Sequence, residues 1–138
     1  SSDLIVNAAN EWLKQGGGVC GAIFKKAGAK ELQDECDKIG YCPCGDAVLT
    51  KGYNMSKYII HTVGPRYVDG NHGERKLLEN CYKNSLELAK KNNIKSIAFP
   101  LISSGIFGYP VDEALEVAKE TIEKYKGDLD VYLVLFRK

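Results

Sequence analysis

The chain has 138 residues, of which 44% are hydrophobic and 27% are charged, and its formal net charge is +1. This size and composition are typical of one soluble globular domain, here spanning residues 1–138, with room for a sizeable core. The near-neutral charge counts against nucleic acid or a membrane surface as a partner, and no apolar run approaches the ~20 residues of a membrane-spanning helix.

The cysteines show no disulfide framework, and their number is odd. In a domain with an adequate core they are expected to be reduced thiols, which predicts an intracellular, cytoplasmic protein and leaves a nuclear location open. Two of them form Cys42-Pro43-Cys44, which is CxC rather than CxxC and has no histidine near it in sequence, so we expect no metal site. The others are Cys20, Cys36 and Cys81.

The first predicted element is a strand at residues 3–6, whose continuous apolar run indicates burial on both faces. Because a central strand lies so close to residue 1, we expect that one or more N-terminal strands of the domain precede this sequence. Helices are then predicted at residues 20–28 and 29–39, followed by strands at residues 46–51 and 58–63.

The longest predicted helix covers residues 74–92. It carries one apolar stripe opposite lysine and glutamate residues, formed by Leu77, Leu78, Cys81, Leu88 and Ala89. A strand at residues 96–102, a helix at 111–125 and a strand at 130–136 complete the chain. Strands that alternate with helices predict a layered α/β fold whose sheet is largely parallel inside.

Two glycine-rich loops follow predicted strands and carry small polar groups. The first runs from Asn10 through Gly16-Gly17-Gly18-Val19, and the second covers residues 103–108. Glycine lets backbone N–H groups approach a ligand closely, and a helix start adds free donors and a positive dipole end. Since ligands of such sheets bind outside the carboxyl ends of the strands, the two loops together predict a clamp for a diphosphate. Either loop alone would fit a simple turn equally well.

Further motifs lie in a fixed order along almost the whole chain: IVNAAN at residues 5–10, GGGV at 16–19, IHTVGP at 60–65 and PLISSGIFGYP at 100–110. On these motifs the chain resembles the macro domain family, and within it the hydrolase-type branch. The resemblance implies a three-layer α/β/α sandwich with a mixed, centrally parallel sheet. It also implies hydrolysis of ester-type mono-ADP-ribosyl linkages on proteins, or of O-acetyl-ADP-ribose, without a metal or cofactor. The implied partners are ADP-ribose and ADP-ribosylated proteins, and we expect a monomer.

The resemblance assigns roles to the residues of both loops. Asn10 would hydrogen-bond the distal ribose, and Asn7 would support the loop or the ribose pocket. The residues that would line the distal ribose and the neighbouring phosphate are Gly16, Gly17, Gly18 and Val19. Those that would wrap the diphosphate are Ser103, Ser104, Gly105, Ile106 and Phe107, of which Phe107 would also pack against the distal ribose. Phe136 matches the position of an aromatic wall for adenine, although a core phenylalanine fits equally well.

Two departures from the family pattern bear on activity. The acidic residue that would accept a hydrogen bond from the adenine amino group is absent, since Asp3 matches a different position. Cys20 stands where many hydrolases of this type have aspartate, whose carboxylate can help to order the attacking water as a general base. A thiol is a weaker hydrogen-bonding group. Asn10, Gly18 and Cys20 form the predicted catalytic set, and the alternative function is a non-catalytic module that reads ADP-ribose.

Four further side chains receive structural interpretations. Cys20 is interpreted as a small residue of the ligand wall rather than as a nucleophile. His61 lies in an apolar strand, which favours a hydrogen-bonded core histidine over a catalytic base. Trp12 and Leu13 are expected to anchor the segment between the first strand and the glycine triplet.

Overall fold

The computed structural model describes residues 3–135 and places five strands and four helices in that part of the chain. The strands are β1 (Leu4–Ala8), β2 (Ala47–Lys51), β3 (Tyr58–Thr62), β4 (Ser96–Pro100) and β5 (Asp130–Val134). The helices are α1 (Gly18–Ala27), α2 (Ala29–Ile39), α3 (Glu74–Lys91) and α4 (Val111–Tyr125). Across these residues, no helix is both long and apolar enough to cross a membrane.

The strands form one sheet in the order β2-β3-β1-β4-β5. β1 pairs in parallel with both β3 and β4, and β4 pairs in parallel with β5, whereas β2 runs antiparallel to β3. The sheet is therefore mixed and parallel at its centre, as predicted. Because β1, β3 and β4 point the same way, the segments that follow Ala8, Thr62 and Pro100 emerge at one edge of the sheet, where ligands of such folds bind.

Helices cover both faces of the sheet, which confirms the predicted α/β/α sandwich. One face packs against α3 and α4 in the larger core, whose fully buried side chains include Leu78, Tyr82, Phe99 and Val117. The other face packs against α1 and α2 in a smaller core that includes Phe24, Leu32, Cys36 and Ile59. Burial of a large apolar side chain contributes about 1.5–3 kcal/mol, so the two cores together fix the strand ends from which the loops start.

The observed bounds match the prediction for α2 and α4 and differ by one or two residues elsewhere. α1 begins at Gly18 rather than at residue 20, and β4 ends at Pro100 rather than at residue 102. β4 stops early because the Ile102 N–H donates to the Tyr82 hydroxyl at 3.1 Å instead of to a strand. The last strand is described as far as Val134, and the predicted adenine wall, Phe136, lies outside the described residues.

The apolar face of α3 contains the predicted Leu78, Cys81 and Ala89 and is wider than predicted. Leu77 and Leu88, the other two predicted residues, are only partly buried. A helical period of 3.6 residues adds further positions to the inner face. The buried residues of α3 are Glu74, Leu78, Cys81, Tyr82, Ser85, Leu86 and Ala89.

Candidate functional site

A tight turn after β1 brings Asn10 to the edge where the strands end. The Leu13 N–H donates to Asn10 O at 3.0 Å, which closes the turn over residues 10–13. Leu13 is 1% exposed, whereas Trp12 is 63% exposed. Leu13 therefore anchors this segment as predicted. The same prediction for Trp12 is wrong, because its side chain lies at the surface against Tyr41.

The side chain of Asn10 is bonded to the backbone of its own loop. Its Nδ2 donates to Lys14 O at 2.7 Å, and its Oδ1 accepts from the Lys14 N–H at 3.0 Å. A side-chain amide has two N–H donors and two acceptor lone pairs, so each end retains the capacity for one more hydrogen bond. Asn10 Nδ2 also lies 4.0 Å from where a Cβ on Gly16 would be, so this amide borders the glycine loop.

The glycine loop leads directly into α1, which begins at Gly18. Gly17 is the N-cap without a side-chain capping bond, and the first turn has no acidic residue. Within residues 3–135, no acceptor pairs with the N–H groups of Gly17, Gly18 or Val19. A Cβ added to Gly17 or Gly18 would meet nothing within 4 Å in the same range. Orphan donors at a helix N-terminus favour an anion in the open space beside them.

Gly21, which was not among the predicted site residues, fixes the path of this loop. Its N–H donates to Gly17 O at 3.1 Å. A Cβ at this position would overlap the carbonyl oxygen of Gly16, so the loop can approach α1 only because residue 21 has no side chain. The signal in the sequence is a fourth glycine three residues after the triplet, inside the helix predicted at residues 20–28.

A series of buried polar side chains connects the first loop to the sheet. Asn7 is fully buried at the end of β1, and its Nδ2 lies 3.5 Å from Cys20 Sγ and 3.2 Å from His61 Nδ1. Cys20 Sγ in turn approaches Lys14 O at 3.8 Å, the same carbonyl that Asn10 contacts. The chain therefore links the sheet, the first residues of α1 and the turn that holds Asn10.

Both ring nitrogens of His61 have polar neighbours. Nδ1 lies 3.2 Å from Asn7 Nδ2, and Nε2 lies 2.9 Å from Thr50 Oγ1 and 3.9 Å from Cys36 Sγ. Burial lowers the pKa of His61 to about 4, so the ring is neutral near pH 7. His61 is a hydrogen-bonded core histidine, as the sequence analysis interpreted it.

Cys20 contributes to this chain and has little surface of its own. It is 9% exposed, and its Sγ faces Asn7 and the Lys14 carbonyl. This setting agrees with the interpretation of Cys20 as a wall residue rather than a nucleophile. Its assignment to a catalytic set with Asn10 and Gly18 stays a prediction.

The second loop follows β4 and is closed by its own hydrogen bonds. The Tyr109 N–H donates to Ser103 O at 2.8 Å and the Gly108 N–H to Gly105 O at 2.9 Å. Ser104 Oγ donates to Leu101 O at 2.8 Å. The hydroxyl of Ser103 is buried, without a hydrogen-bond partner among residues 3–135. Both serine hydroxyls are thus directed into the loop or the core, and the Ser104 N–H donates to Leu101 O at 3.4 Å.

The second loop also carries backbone donors, at the edge where β1 and β4 end. In the described part of the chain, the N–H groups of Gly105, Ile106 and Phe107 have no acceptor, and a Cβ on Gly105 would meet nothing within 4 Å. Ile106 is 95% exposed, which is unusual for a large apolar side chain. Since β1 and β4 are adjacent and parallel, the structure brings the two predicted loops to one side of the sheet.

Arg66 packs on Phe107, and the sequence analysis missed this contact. The guanidinium carbon lies 4.5 Å from the centroid of the Phe107 ring, within the range of a cation–π interaction. The Tyr67 N–H donates to Phe107 O at 2.8 Å, so the segment after β3 is bound to the loop after β4. Within residues 3–135, no carboxylate pairs with Arg66, which leaves a positive charge beside the free N–H groups.

A cluster of acidic residues and histidine before α3 resembles a metal site by spacing alone. Asp69, His72 and Glu74 place ligand atoms within 4.8 Å of one another. Glu74 accepts N–H groups from Val68, Asp69 and Gly70 on Oε2 and from His72 on Oε1. Burial would raise the pKa of Glu74, but these backbone bonds lower it to about 2. The carboxylate therefore closes the loop ahead of α3, and its oxygens are already occupied.

Two surface recesses lie away from the loops. One is bordered by Ile122, Leu129 and Tyr132 near the end of α4, and the other by Asp46 and Asn84 beside α3. Neither contains the unpaired backbone donors that distinguish the two loops, so we assign the site to the loops.

The fold and these loops define a class of protein: an α/β/α sandwich with an anion-binding edge built from two glycine-rich loops. The model of the Macro domain family matches residues 6–118. The chain therefore belongs to the macro domain family, as its motifs predicted.

Relatives and solved structures agree with this family. The chain is 49% identical over 128 residues to the O-acetyl-ADP-ribose deacetylase of Escherichia fergusonii, with 89% of this chain and 72% of that protein covered. It is similar to the Oceanobacillus iheyensis macrodomain solved with ADP, with a TM-score of 0.92 at 41% identity over 99% of this chain and 77% of that one. A Trypanosoma brucei macrodomain in complex with ADP-ribose gives a TM-score of 0.84 at 38% identity, covering 99% and 59%.

Proposed function

We propose that the chain binds ADP-ribose and hydrolyses ester-type mono-ADP-ribosyl linkages on proteins, or O-acetyl-ADP-ribose. The observation that carries this proposal is the pair of loops, each with backbone N–H groups that no acceptor within residues 3–135 uses. The name of the Escherichia fergusonii relative and the ADP-ribose bound by the Trypanosoma brucei structure support the choice of ligand.

Binding would place the diphosphate between the two loops. The N–H groups of residues 17–19 would hold one phosphate and those of residues 105–107 the other, since hydrogen bonds to an ionised acceptor are about twice as strong as neutral ones. The charge of Arg66 adds to this field. Asn10 would contact the distal ribose with the N–H that Lys14 O leaves free.

Catalysis would depend on position more than on a strong base. A water near the anomeric carbon of the distal ribose would be oriented by a ligand phosphate and by Asn10. Cys20, which already contacts Asn7 and Lys14 O, shapes the wall behind it. Alignment of the reacting groups and stabilisation of developing charge by the free N–H groups would supply most of the rate enhancement.

A reader module is the second candidate, and the thiol of Cys20 is the observation that favours it. A thiol is a poor general base for activating a water molecule, and the Cys20 side chain is almost fully buried. The same loops would then hold ADP-ribose on a protein without releasing it.

The two functions are separated by a turnover assay on a mono-ADP-ribosylated acidic peptide, with calorimetry of free ADP-ribose in parallel. The proposal expects release of the label by the wild type and loss of release in Asn10→Ala. Lys119→Ala, on the exposed side of α4, serves as the matched control. Tight binding of ADP-ribose without any release would leave the reader module as the function.

The role of Cys20 is tested by Cys20→Asp against the isosteric, uncharged Cys20→Asn. Because a positioned general base typically contributes about 10²–10⁴-fold, we expect Cys20→Asp to raise the turnover number at least ~10-fold while the Kd for ADP-ribose changes little. Equal rates in Cys20→Asp and Cys20→Asn would show that a carboxylate at this position is not what limits the reaction.

A further inference from the structure

An aromatic surface patch lies directly beside Asn10. In the turn over residues 10–13, Glu11 and Trp12 occupy the two corner positions. The Trp12 ring is 63% exposed and meets Tyr41, itself 44% exposed, with ring centroids 4.8 Å apart in an edge-to-face arrangement. We call Glu11, Trp12 and Tyr41 the Trp12 patch.

The patch is held in place by polar contacts that do not need its aromatic surface. The Cys42 N–H donates to Glu11 O at 2.8 Å, and the Tyr41 hydroxyl donates to Glu11 Oε2 at 2.9 Å. Leu13 already anchors the turn to the core. The turn is therefore anchored without the Trp12 ring, and this side chain remains available at the surface.

The chemistry of the patch suits a cation. The faces of tryptophan and tyrosine rings attract ammonium and guanidinium groups, and the Glu11 carboxylate adds a negative charge with one lone-pair side still open. The nearest lysine in sequence, Lys14, is held by Asp37 Oδ1 at 2.7 Å, so its charge is compensated. Tryptophan and tyrosine are also the residues that most often dominate binding at protein interfaces.

We infer that the Trp12 patch binds a basic side chain of the ADP-ribosylated protein, close in sequence to the modified residue. This inference rests on the proposed function, in which Asn10 lies against the distal ribose. The distal ribose carries the bond to the protein, so the polypeptide leaves the pocket beside Asn10, and the patch begins one residue further along the chain. An arginine there stacks on the Trp12 ring and pairs with Glu11.

The experiment uses two peptides that carry ADP-ribose through a non-cleavable linkage and differ only in an arginine or a serine next to the modified residue. Calorimetry is expected to show the arginine peptide bound roughly 3–20-fold more tightly, the range that one cation–π contact with a paired carboxylate provides. Trp12→Ala and Glu11→Gln reduce this preference to less than ~2-fold and leave the affinity for free ADP-ribose unchanged, whereas Trp12→Phe retains most of it.

The protein has one tryptophan, which gives a second readout from the patch itself. The arginine peptide is expected to change the Trp12 emission, and free ADP-ribose is expected to leave it nearly unchanged. Equal affinity for the arginine and serine peptides, with free ADP-ribose still bound, overturns the inference and leaves the proposed function intact. A leucine peptide that binds as tightly as the arginine peptide overturns it as well. Failure to bind free ADP-ribose overturns both.

Discussion

At the scale of single residues, Asn7 and His61 form a buried polar pair beneath the first loop. Asn7 Nδ2 lies 3.2 Å from His61 Nδ1 and 3.5 Å from Cys20 Sγ, and both Asn7 and His61 are fully buried. A buried polar group without a hydrogen-bond partner typically costs about 1–3 kcal/mol. Each residue of the pair therefore depends on the other, and together they support the first loop.

The protonation of His61 gives a direct prediction. Because burial lowers its pKa to about 4, its imidazole NMR signals should not move between pH 5 and pH 8. The only other histidine of the chain, His72, has a pKa raised by its hydrogen bond to Asp69, so the shifts of the two histidines are opposite in direction. A midpoint near 6.5 for His61 would contradict the buried chain described above.

The same shift predicts how stability depends on pH. An unfolded histidine binds its proton near pH 6.5, well above the folded pKa of about 4. The unfolded state therefore binds more protons between these values, and the stabilisation that His61 provides at pH 7 is lost as the pH falls through this window. Between pH 7 and pH 5 this amounts to about 2 kcal/mol. In urea unfolding, the free energy of unfolding of the wild type should lose this contribution between pH 7 and pH 5, whereas that of His61→Gln should not.

A further prediction for a single residue concerns Arg66. Removing its guanidinium from the Phe107 ring takes away both a support for the ring and a charge next to the second loop. Arg66→Ala should weaken ADP-ribose binding about 3–10-fold, and Arg66→Lys should fall between the two. Calorimetry checks this, with Arg75→Ala as the matched control, because Arg75 is paired with Glu120 at 2.7 Å. An equal loss in both alanine variants would indicate a general charge effect.

At the scale of elements, the start of α1 contains two glycines, Gly17 and Gly21, whose missing side chains have different consequences. A Cβ at Gly21 would overlap Gly16 O, whereas a Cβ at Gly17 meets nothing within 4 Å in residues 3–135. Inside a helix, replacing glycine by alanine normally stabilises by about 0.5–1 kcal/mol. At position 21 the overlap reverses this sign.

These two positions form a matched pair of variants. Gly21→Ala should lower the Tm and displace the loop, so ADP-ribose binding falls as well. Gly17→Ala should leave the Tm nearly unchanged, because its φ of −88° suits alanine, and should still weaken binding, since the new methyl group fills the space beside the free N–H groups. Thermal unfolding and calorimetry on both proteins test this. Normal affinity in Gly17→Ala would place the ligand elsewhere.

Much of the element pattern could be predicted from the sequence, and the exceptions have physical causes. α2 and α4 are amphipathic over their full length, so periodicity set their bounds. β4 was predicted two residues too long because the apolar Leu101 and Ile102 continue the run, while the Tyr82 hydroxyl takes up the Ile102 N–H. That bond joins residues far apart in sequence, and the same holds for the contact of Arg66 with Phe107. Local patterns contain no signal for such contacts.

At the scale of the whole molecule, the site is assembled from segments almost one hundred residues apart. The parallel pairing of β1 with β4 sets the loop after each strand at the same edge, and the segment after β3 closes on the second loop through Tyr67 and Phe107. The parallel pairing inside the sheet could be predicted from the alternation of strands and helices. The aromatic wall predicted at Phe136 lies outside the described residues, so its role stays a prediction.

A clamp made from two loops predicts how ligands of different length stabilise the protein. In the proposed binding mode, the diphosphate of ADP-ribose or ADP engages both loops, whereas the single phosphate of AMP engages one. A ligand present at 100 times its Kd stabilises by about 2.7 kcal/mol. At equal concentrations, thermal unfolding should therefore show a larger rise in Tm for ADP-ribose and ADP than for AMP. A rise with AMP as large as that with ADP would argue against two phosphate positions.

The backbone of Ser103 has a consequence for the speed of binding. Its φ of +67° lies in the left-handed region, where a residue other than glycine typically costs about 1–3 kcal/mol. Gly64 packs so closely against this serine that a side chain there would overlap the Ser103 hydroxyl. The start of the loop is thus held by packing, and we expect its ordering to be completed during folding. Association should then be a single step whose observed rate rises linearly with ligand concentration, without the plateau that a slow loop closure would produce.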